Sequence, residues 1–394
     1  MKLSFTKFWM CAIAAAFLVP SFTSCNENEN EYGDNDELYQ DILKQYVNTT
    51  IKPTYKSLAE AALEMRKANE ALKAAPSDAN MKAASDAWMK ARIAWEISEA
   101  FLFGPVTENA LDIDGHIDSW PLELVNIQKE LSEIKKRLDA GATIGLTGKD
   151  AWLMDAEVIG FHVTEYLLYR NGQSRLIADV TTEELHYLTA ATEALVWDCI
   201  MLYVAWVGEE SVSAEMKTVF RENPDVVAHL NNNSAFKNFA DKLTSATGYP
   251  SWGAALSEIS IGASGIAEEV GLTKIASPYD DKKTEEVESW YSWHSIDDYK
   301  NNIESIKNGY LGGMNNSTRT SISLSYYVAQ VDSELDKQVK AKIEDCIAKI
   351  GNMGKGTLSF YEVVRDQVNK AEVDAAVQAC EDLKALLDKV TDRI

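Results

Sequence analysis

The residues of this 394-residue chain best suited to chemistry are His162 and Glu165, in the run Gly160-Phe-His-Val-Thr-Glu-Tyr-Leu-Leu-Tyr169. Positions three apart share one face of a helix, and Trp152, Ile159, Tyr166 and Tyr169 fall around this pair. An imidazole and a carboxylate set in an apolar, aromatic stripe need partners for their polar atoms. At this spacing they can hold one metal ion, or the carboxylate can orient the imidazole. The plain alternative is a core histidine satisfied by its own glutamate. Gly160 falls on nearly the opposite face, where a missing side chain permits close helix packing.

A second stripe carries charge. Trp88, Arg92, Trp95, Glu99 and Leu102 recur at helical spacing, with Glu96 four residues after Arg92. Charges on an otherwise apolar face must be paired or functional. The segment Asp112-Ile-Asp114-Gly-His116-Ile-Asp118-Ser-Trp120-Pro121 is dense in acid and adds another histidine. Its ordinary reading is a solvated turn with side-chain caps. A ferritin-type di-iron bundle needs facing Glu-x-x-His words. Glu183-x-x-His186 supplies one, at an expected exposed helix start, with no clear second copy.

The elements that must position these residues read as helices nearly throughout. The spacing predicts a long helix over Leu38–Ala75, perturbed at Pro53, and another over Ala79–Phe103 after the start signal Ser77-Asp78. An irregular stretch runs to Pro121, then helices are expected to about Leu138, over Asp150–Arg170, and from the Thr181–Glu184 cap to Val207. Breakers at Asn223-Pro224, Asn231–Asn233 and Gly248–Pro250 weaken the pattern from 208 to 250, which sets an expected domain boundary there. Helices then resume over Ser251–Val270, Lys283–Trp290, Asp297–Tyr310, Thr318–Ile350 and Thr357–Val390. Alternating strand-like runs are nearly absent. The expected fold is all-α, two helical-bundle domains packed together, 37–207 with the histidine motif and 208–394.

The N-terminus reads as an export signal. Lys2 and Lys7, an apolar run from Trp9 to Pro20, and small residues before Cys25 describe a lipoprotein signal peptide over 1–24. Cys25 becomes the lipidated first residue, and 25–36 an acidic flexible tether. The net charge of −23 argues against nucleic acid and anionic membrane surfaces as partners. Cys199, Cys346 and Cys380 are far apart, odd in number and without CxxC spacing, so packed thiols are expected. No later apolar run reads as long enough to cross a membrane.

At this point the chain resembles the imelysin-like family, also called the imelysin peptidase family. Gly160-x-His162-x-x-Glu165 matches the family's GxHxxE signature. Arg92-x-x-Trp95-Glu-x-Ser-Glu99-Ala-Phe-x-Phe-Gly104-Pro and Ile117-Asp118-Ser-Trp120-Pro121-Leu resemble its N-terminal blocks. Gly265-Ile-Ala-x-Glu268-Glu269-Val270-Gly271 and Ser292 through Gly312 resemble the later ones. Many members carry Ser-Asp-Asn-Thr-His near Ser292. Here the row reads Ser292-Trp-His294-Ser-Ile-Asp-Asp298, which keeps the serine and shifts the histidine.

The resemblance implies two helical bundles with GxHxxE at their interface, an outer-membrane or periplasmic location, and roles in iron uptake or, for some members, peptidase activity. The first expectation is therefore a binding protein, lipid-anchored on the periplasmic side or the cell surface. It would take one divalent or ferric ion, iron ahead of zinc, through His162, Glu165, Glu99, Glu96 and Asp114, with no metal at all as the alternative. Arg92, Ser292, Glu269 and Asp118 are the expected contacts for a substrate or anionic iron chelate. Expected partners are the metal or chelate and other iron-uptake envelope proteins, with the membrane met through the lipid alone. A scaffold with a structural His–Glu pair and a metallopeptidase are the alternatives; neither HExxH nor HxxEH is present.

Overall fold

The computed structural model describes residues 35–107, 110–319 and 321–394. The expected leader 1–24, Cys25 and the tether through residue 34 lie outside the described residues. Asp36, assigned to the tether, instead opens helix α1 (Asp36–Tyr46). A π-helical segment, Val47–Ile51, joins α1 to α2 (Lys52–Ala74). Pro53 has no N–H to return to the Thr49 carbonyl, and the wider turn beside it absorbs the missing bond.

The Ser77 hydroxyl caps α3 (Asp78–Glu96) by accepting from the Asn80 N–H. This helix stops well short of Phe103, and Glu99 sits in a separate 3-10 turn, Glu99–Phe101. Two helices follow, the short α4 (Ile113–Asp118) and α5 (Leu124–Asp139).

The single helix expected over 150–170 is in pieces: α6 (Gly148–Trp152), a 3-10 turn, and α7 (Gly160–Leu168). Two two-residue strands, Tyr169–Arg170 and Gln173–Ser174, pair antiparallel after it. Gly160 explains the break, because it opens α7 at φ +77°, which side chains rarely adopt. A Cβ there would also lie 2.4 Å from the Ile117 carbonyl oxygen. Glycine thus lets α4 lie directly against the start of α7.

A capping box between Thr181 and Glu184 starts α8 (Thr182–Val207). By length and composition α8 could cross a membrane, contrary to the sequence expectation. It is instead a core helix, packed by α2, α6, α7 and α5. Asp198 on α8 accepts from Trp152 Nε1 at 2.7 Å and bonds His116 Nδ1 at 2.6 Å, which docks α4. His186, expected to be exposed, is buried and accepts from the Gly145 N–H.

The breaker-rich stretch forms short helices α9 (Ala214–Phe220), α10 (Pro224–Asn232) and α11 (Phe239–Thr244). Next, α12 (Trp252–Glu268) runs through a π-helical segment, Glu269–Ala276, into α13 (Ser277–Asp281). The helix expected over Lys283–Trp290 is only a 3-10 turn, Thr284–Glu286. Then come α14 (Ser295–Leu311), α15 (Leu324–Val331) and α16 (Ser333–Gly351). The expected continuous helix over 318–350 is split where Asp332 turns out of the helix and caps α16. Last are α17 (Phe360–Asp366) and α18 (Lys370–Thr391).

Among the described residues the fold is all-α apart from that small hairpin. α2 packs on α3 and α8, while α12, α16 and α18 pack together with α14 beside them. α1 lies on α12, and α3 meets both α7 and α14. Cys199, Cys346 and Cys380 are buried free thiols.

Gly160→Ala should destabilise the protein by about 1–3 kcal/mol in urea unfolding, through the backbone conformation and the clash with α4. Gly265→Ala is the control. It lies within α12 with nothing within 4 Å of an added Cβ, so it should gain about 0.5–1 kcal/mol.

Candidate metal centre

Arg92, on the buried face of α3, is fully enclosed. Its guanidinium meets Glu96 one turn on, Asp118 at the end of α4, Glu288 in the loop before α14, and Asp298 of α14 at 3.6 Å. A guanidinium has five N–H donors in a fixed fork, so one side chain can serve several carboxylates at once. Trp95 holds the other Asp118 oxygen, its Nε1 donating to Oδ2 at 2.7 Å. Asn302 of α14 donates Nδ2 to Glu96 Oε2 at 2.5 Å. Lys274, from the π-helical segment, reaches Glu288 at 3.1 Å and Glu269 at 3.7 Å.

His162 stands beside this network on α7. Its Nδ1 lies 3.3 Å from Glu165 Oε2, and its Nε2 lies 3.1 Å from Asp118 Oδ1 and 3.9 Å from Glu288 Oε1. The other Glu165 oxygen accepts from Ser292 twice, from the backbone N–H at 2.8 Å and the hydroxyl at 2.7 Å. Glu165 is thereby pinned behind the imidazole, facing Nδ1. The Trp120 ring covers His162 with centroids 4.6 Å apart.

The expected site residues therefore divide by position. His162, Glu96, Glu99 and Asp118 converge on one buried space. Glu165 orients His162 from behind, and Ser292 holds Glu165. Arg92, expected to grip an outside anion, faces four carboxylates instead, because burying a guanidinium requires matching charge. Glu269 meets Lys274 at the edge. Asp114 is exposed on α4, with Asp118, Glu269 and Lys274 as its charged neighbours. Lipidation at Cys25 lies outside the described residues. Sequence reasoning missed Glu288 and Lys274. Both come from segments where helical periodicity fails, a loop and a π-helical stretch, and no spacing signal marks them.

Two groups of ligand atoms each lie within 4.8 Å of one another: Asp118, His162 and Glu288, and then Glu96, Glu99 and Asp118. Asp118 belongs to both. The buried polar atoms Tyr299 Oη and Asn302 Oδ1 have no hydrogen-bond partner. Tyr299 has Glu288 and Lys274 among its charged neighbours, and Asn302 bonds Glu96. Buried polar atoms are ordinarily met by protein, water or an ion. Carboxylates with one imidazole fit a hard divalent or ferric ion.

The electrostatics follow from burial and unequal charge. Burial pushes the carboxyls of Glu96 and Glu99 well above their usual range, against the pull of Arg92 and Lys274 respectively. Asp298 and Glu269 are raised for the same reason. For Asp118, Arg92 and His162 overcome burial and hold the carboxyl well below its usual range. Burial and Arg92 pull the His162 imidazolium down, but Asp118 and Glu165 outweigh them, and its pKa stands at about 9.

His162 gains protons on folding. Its stabilisation is complete below the ordinary value of 6.5 and is lost as pH rises through about 9. Urea unfolding free energy should fall across that window in the wild-type protein, and fall less in His162→Gln. Arg92→Met should cost about 3–5 kcal/mol by the same measurement, because it strands buried carboxylates. Arg365→Met, whose exposed partner is Asp366, should leave the urea unfolding midpoint essentially where it is, because water and salt screen a surface pair.

Comparison with known proteins adds the lineage. A family model described as imelysin, Peptidase_M75, matches residues 51–390. Iron-regulated protein A of Synechococcus elongatus is 26% identical over 271 residues, covering 68% of this chain and 64% of its own length. The chain thus spans less than two thirds of that relative. The crystal structure of an iron-regulated protein A precursor from Parabacteroides distasonis is similar with a TM-score of 0.73 and 25% identity, over 93% of this chain and 97% of that one. An imelysin-like protein from Psychrobacter arcticum shares the fold, with a TM-score of 0.56 and 14% identity over 91% of this chain and 93% of that one. With nearly the whole described chain matched, and GxHxxE set beside the buried arginine, this protein belongs to the imelysin family.

Proposed function

We propose that this protein binds a hard metal ion, iron first, at the buried carboxylate–imidazole centre, and serves iron uptake as a lipid-anchored protein of the cell envelope. The observation that carries the reading is His162 Nε2. It is fully buried and faces carboxylate oxygens of Asp118 at 3.1 Å and Glu288 at 3.9 Å, a position in which a bound ion would replace its proton. The donor set suits a cation: Glu96, Glu99, Asp118, Glu165, Glu269, Glu288 and Asp298 surround Arg92, Lys274 and His162, and carboxyls that burial keeps protonated would give up their protons to a bound ion.

Asp118, His162 and Glu288 would hold the ion, with Glu96 and Glu99 on the far side of Asp118. Bound there, the metal supplies positive charge where the carboxylates are in excess. Arg92 shares Asp118 and Glu288 with it, so affinity depends on how far Arg92 yields those oxygens. Glu165 fixes the imidazole so that Nε2 points inward, the usual part of a carboxylate behind a ligating histidine. Enclosure favours holding an ion over cleaving a polypeptide, since His162 is buried beneath Trp120.

Iron as the cargo is supported by the names of the relatives in Synechococcus and Parabacteroides, both called iron-regulated protein A. The envelope location and anchor are supported by the sequence before the fold, where an apolar run and small residues precede Cys25.

Metal content and affinity of the purified protein test this. Ferrous iron and manganese should each bind stoichiometrically and be lost in His162→Ala, Asp118→Asn and Glu288→Gln variants that keep their helical circular dichroism. Glu165→Gln should weaken binding by about 10–100-fold, as expected for a residue that orients a ligand. A wild-type protein that takes up neither ion, or variants that bind as well as wild type, would sink the reading.

A further inference from the structure

Outside the acid centre lies a patch of the opposite character. Arg170 sits half-buried at the end of the short hairpin strand that follows α7. Its guanidinium lies 4.1 Å over the Tyr166 ring and 5.4 Å from that of Tyr291. One of its nitrogens, Nη1, donates to the backbone carbonyls of Tyr166 and Tyr169. Its other donors have no partner among the described residues. Among those residues Arg137 likewise meets only a backbone carbonyl, whereas other arginines of this acidic chain meet carboxylates. Arg66, Arg92, Arg175 and Arg221 each meet a carboxylate. The carboxylate near Arg170 is Glu184, and Arg175 already holds both its oxygens, at 2.9 and 3.1 Å.

The neighbouring polar groups are donors too. The Tyr166 hydroxyl accepts from Gln128 Nε2 at 3.0 Å, which leaves its own proton to give. The buried Trp120 Nε1 has no acceptor. Trp120 and Tyr166 both pack against Tyr291, with centroids 6.5 and 5.2 Å away. Trp120 is also the ring that covers His162. A cation and donors without an acceptor call for an anion. With one face of the guanidinium covered by Tyr166, the fork offers its in-plane edge, which matches a planar carboxylate.

We infer that Arg170, Tyr166 and Trp120 form an anion-binding lip over the metal centre, which takes a small polycarboxylate, the class of molecule that carries a metal as an anionic chelate. The chelate part rests on the metal-centre reading, whereas the carboxylate contact stands by itself. The link between the two sites is aromatic: Tyr291 packs against Tyr166, which stacks on Arg170, and against Trp120, which covers His162.

Citrate is the probe, titrated calorimetrically into the metal-free protein, with manganese alone as the second arm and ferric citrate as the third. Wild type should bind citrate. Arg170→Gln should weaken citrate by about tenfold or more, the scale of a lost charge-assisted contact, and leave manganese binding unchanged. Arg170→Lys should recover part of the affinity, and Tyr166→Phe, which keeps the stacking ring, should lose a smaller part. Ferric citrate should bind more tightly than citrate alone in wild type and lose that gain in His162→Ala. No citrate binding by wild type, or equal affinity in Arg170→Gln, overturns the lip. Citrate and manganese lost together in Arg170→Gln also overturns it, as the mark of a structural role. Citrate binding that persists while manganese and the ferric gain are absent removes the metal reading and leaves the lip standing.

Discussion

A single guanidinium organises the middle of this protein. Arg92 is wholly enclosed and meets carboxylates from its own helix, from the end of α4, from the loop before α14 and from α14 itself. Burying an isolated charge is prohibitively costly, whereas burying it among partners is tolerable. The chain must therefore bring those segments to one point. Their arrival fixes where α3, α4 and α14 lie relative to one another, and it draws together parts of the sequence nearly two hundred residues apart.

Around that ion cluster, ordinary local devices do the placing. Glycine at 160 lets the Ile117 carbonyl approach α7, and the approach sets Asp118 beside His162. His116 ties α4 to Asp198 on the central helix, which also accepts from Trp152 of α6, so the short element that delivers Asp118 is anchored two residues before it. Wider helical turns are common at functional positions, and here the stretch Glu269–Ala276 presents Glu269 and Lys274 to the centre. Gly271 within it lies where a Cβ would come 2.9 Å from the Cys380 Cβ, so the distorted segment still packs on α18.

The centre and its surroundings divide the labour of charge. Inside, carboxyl groups outnumber basic ones, burial raises Glu96 and Glu99 despite Arg92 and Lys274, and the His162 imidazole faces Asp118 and Glu288. Across the aromatic cluster of Tyr166, Tyr291 and Trp120, the groups around Arg170 are donors. An interior that attracts a cation beside a lip that attracts an anion suits a neutralised or anionic metal complex better than either ion alone. The overall charge of −23 sets the background against which the lip is selective.

The sequence by itself determined the all-α class, most helix starts and the pair His162 and Glu165, because helical periodicity and caps are local properties. It also singled out Arg92, Glu96 and Glu99 as charges that an apolar face could not carry idly, and Asp118 within an acid-dense segment whose ordinary reading was a solvated turn. It could not determine the direction each group faces. Glu165 turned out to stand behind His162 because Ser292, from a remote loop, holds its carboxylate. Arg92 turned inward to carboxylates, since a guanidinium on a core face has no solvent to meet. Glu288 and Lys274 left no trace in the pattern, for a loop and a π-helical segment have no helical period to read. Those assignments depend on distances between segments far apart in the chain, and only tertiary packing sets such distances.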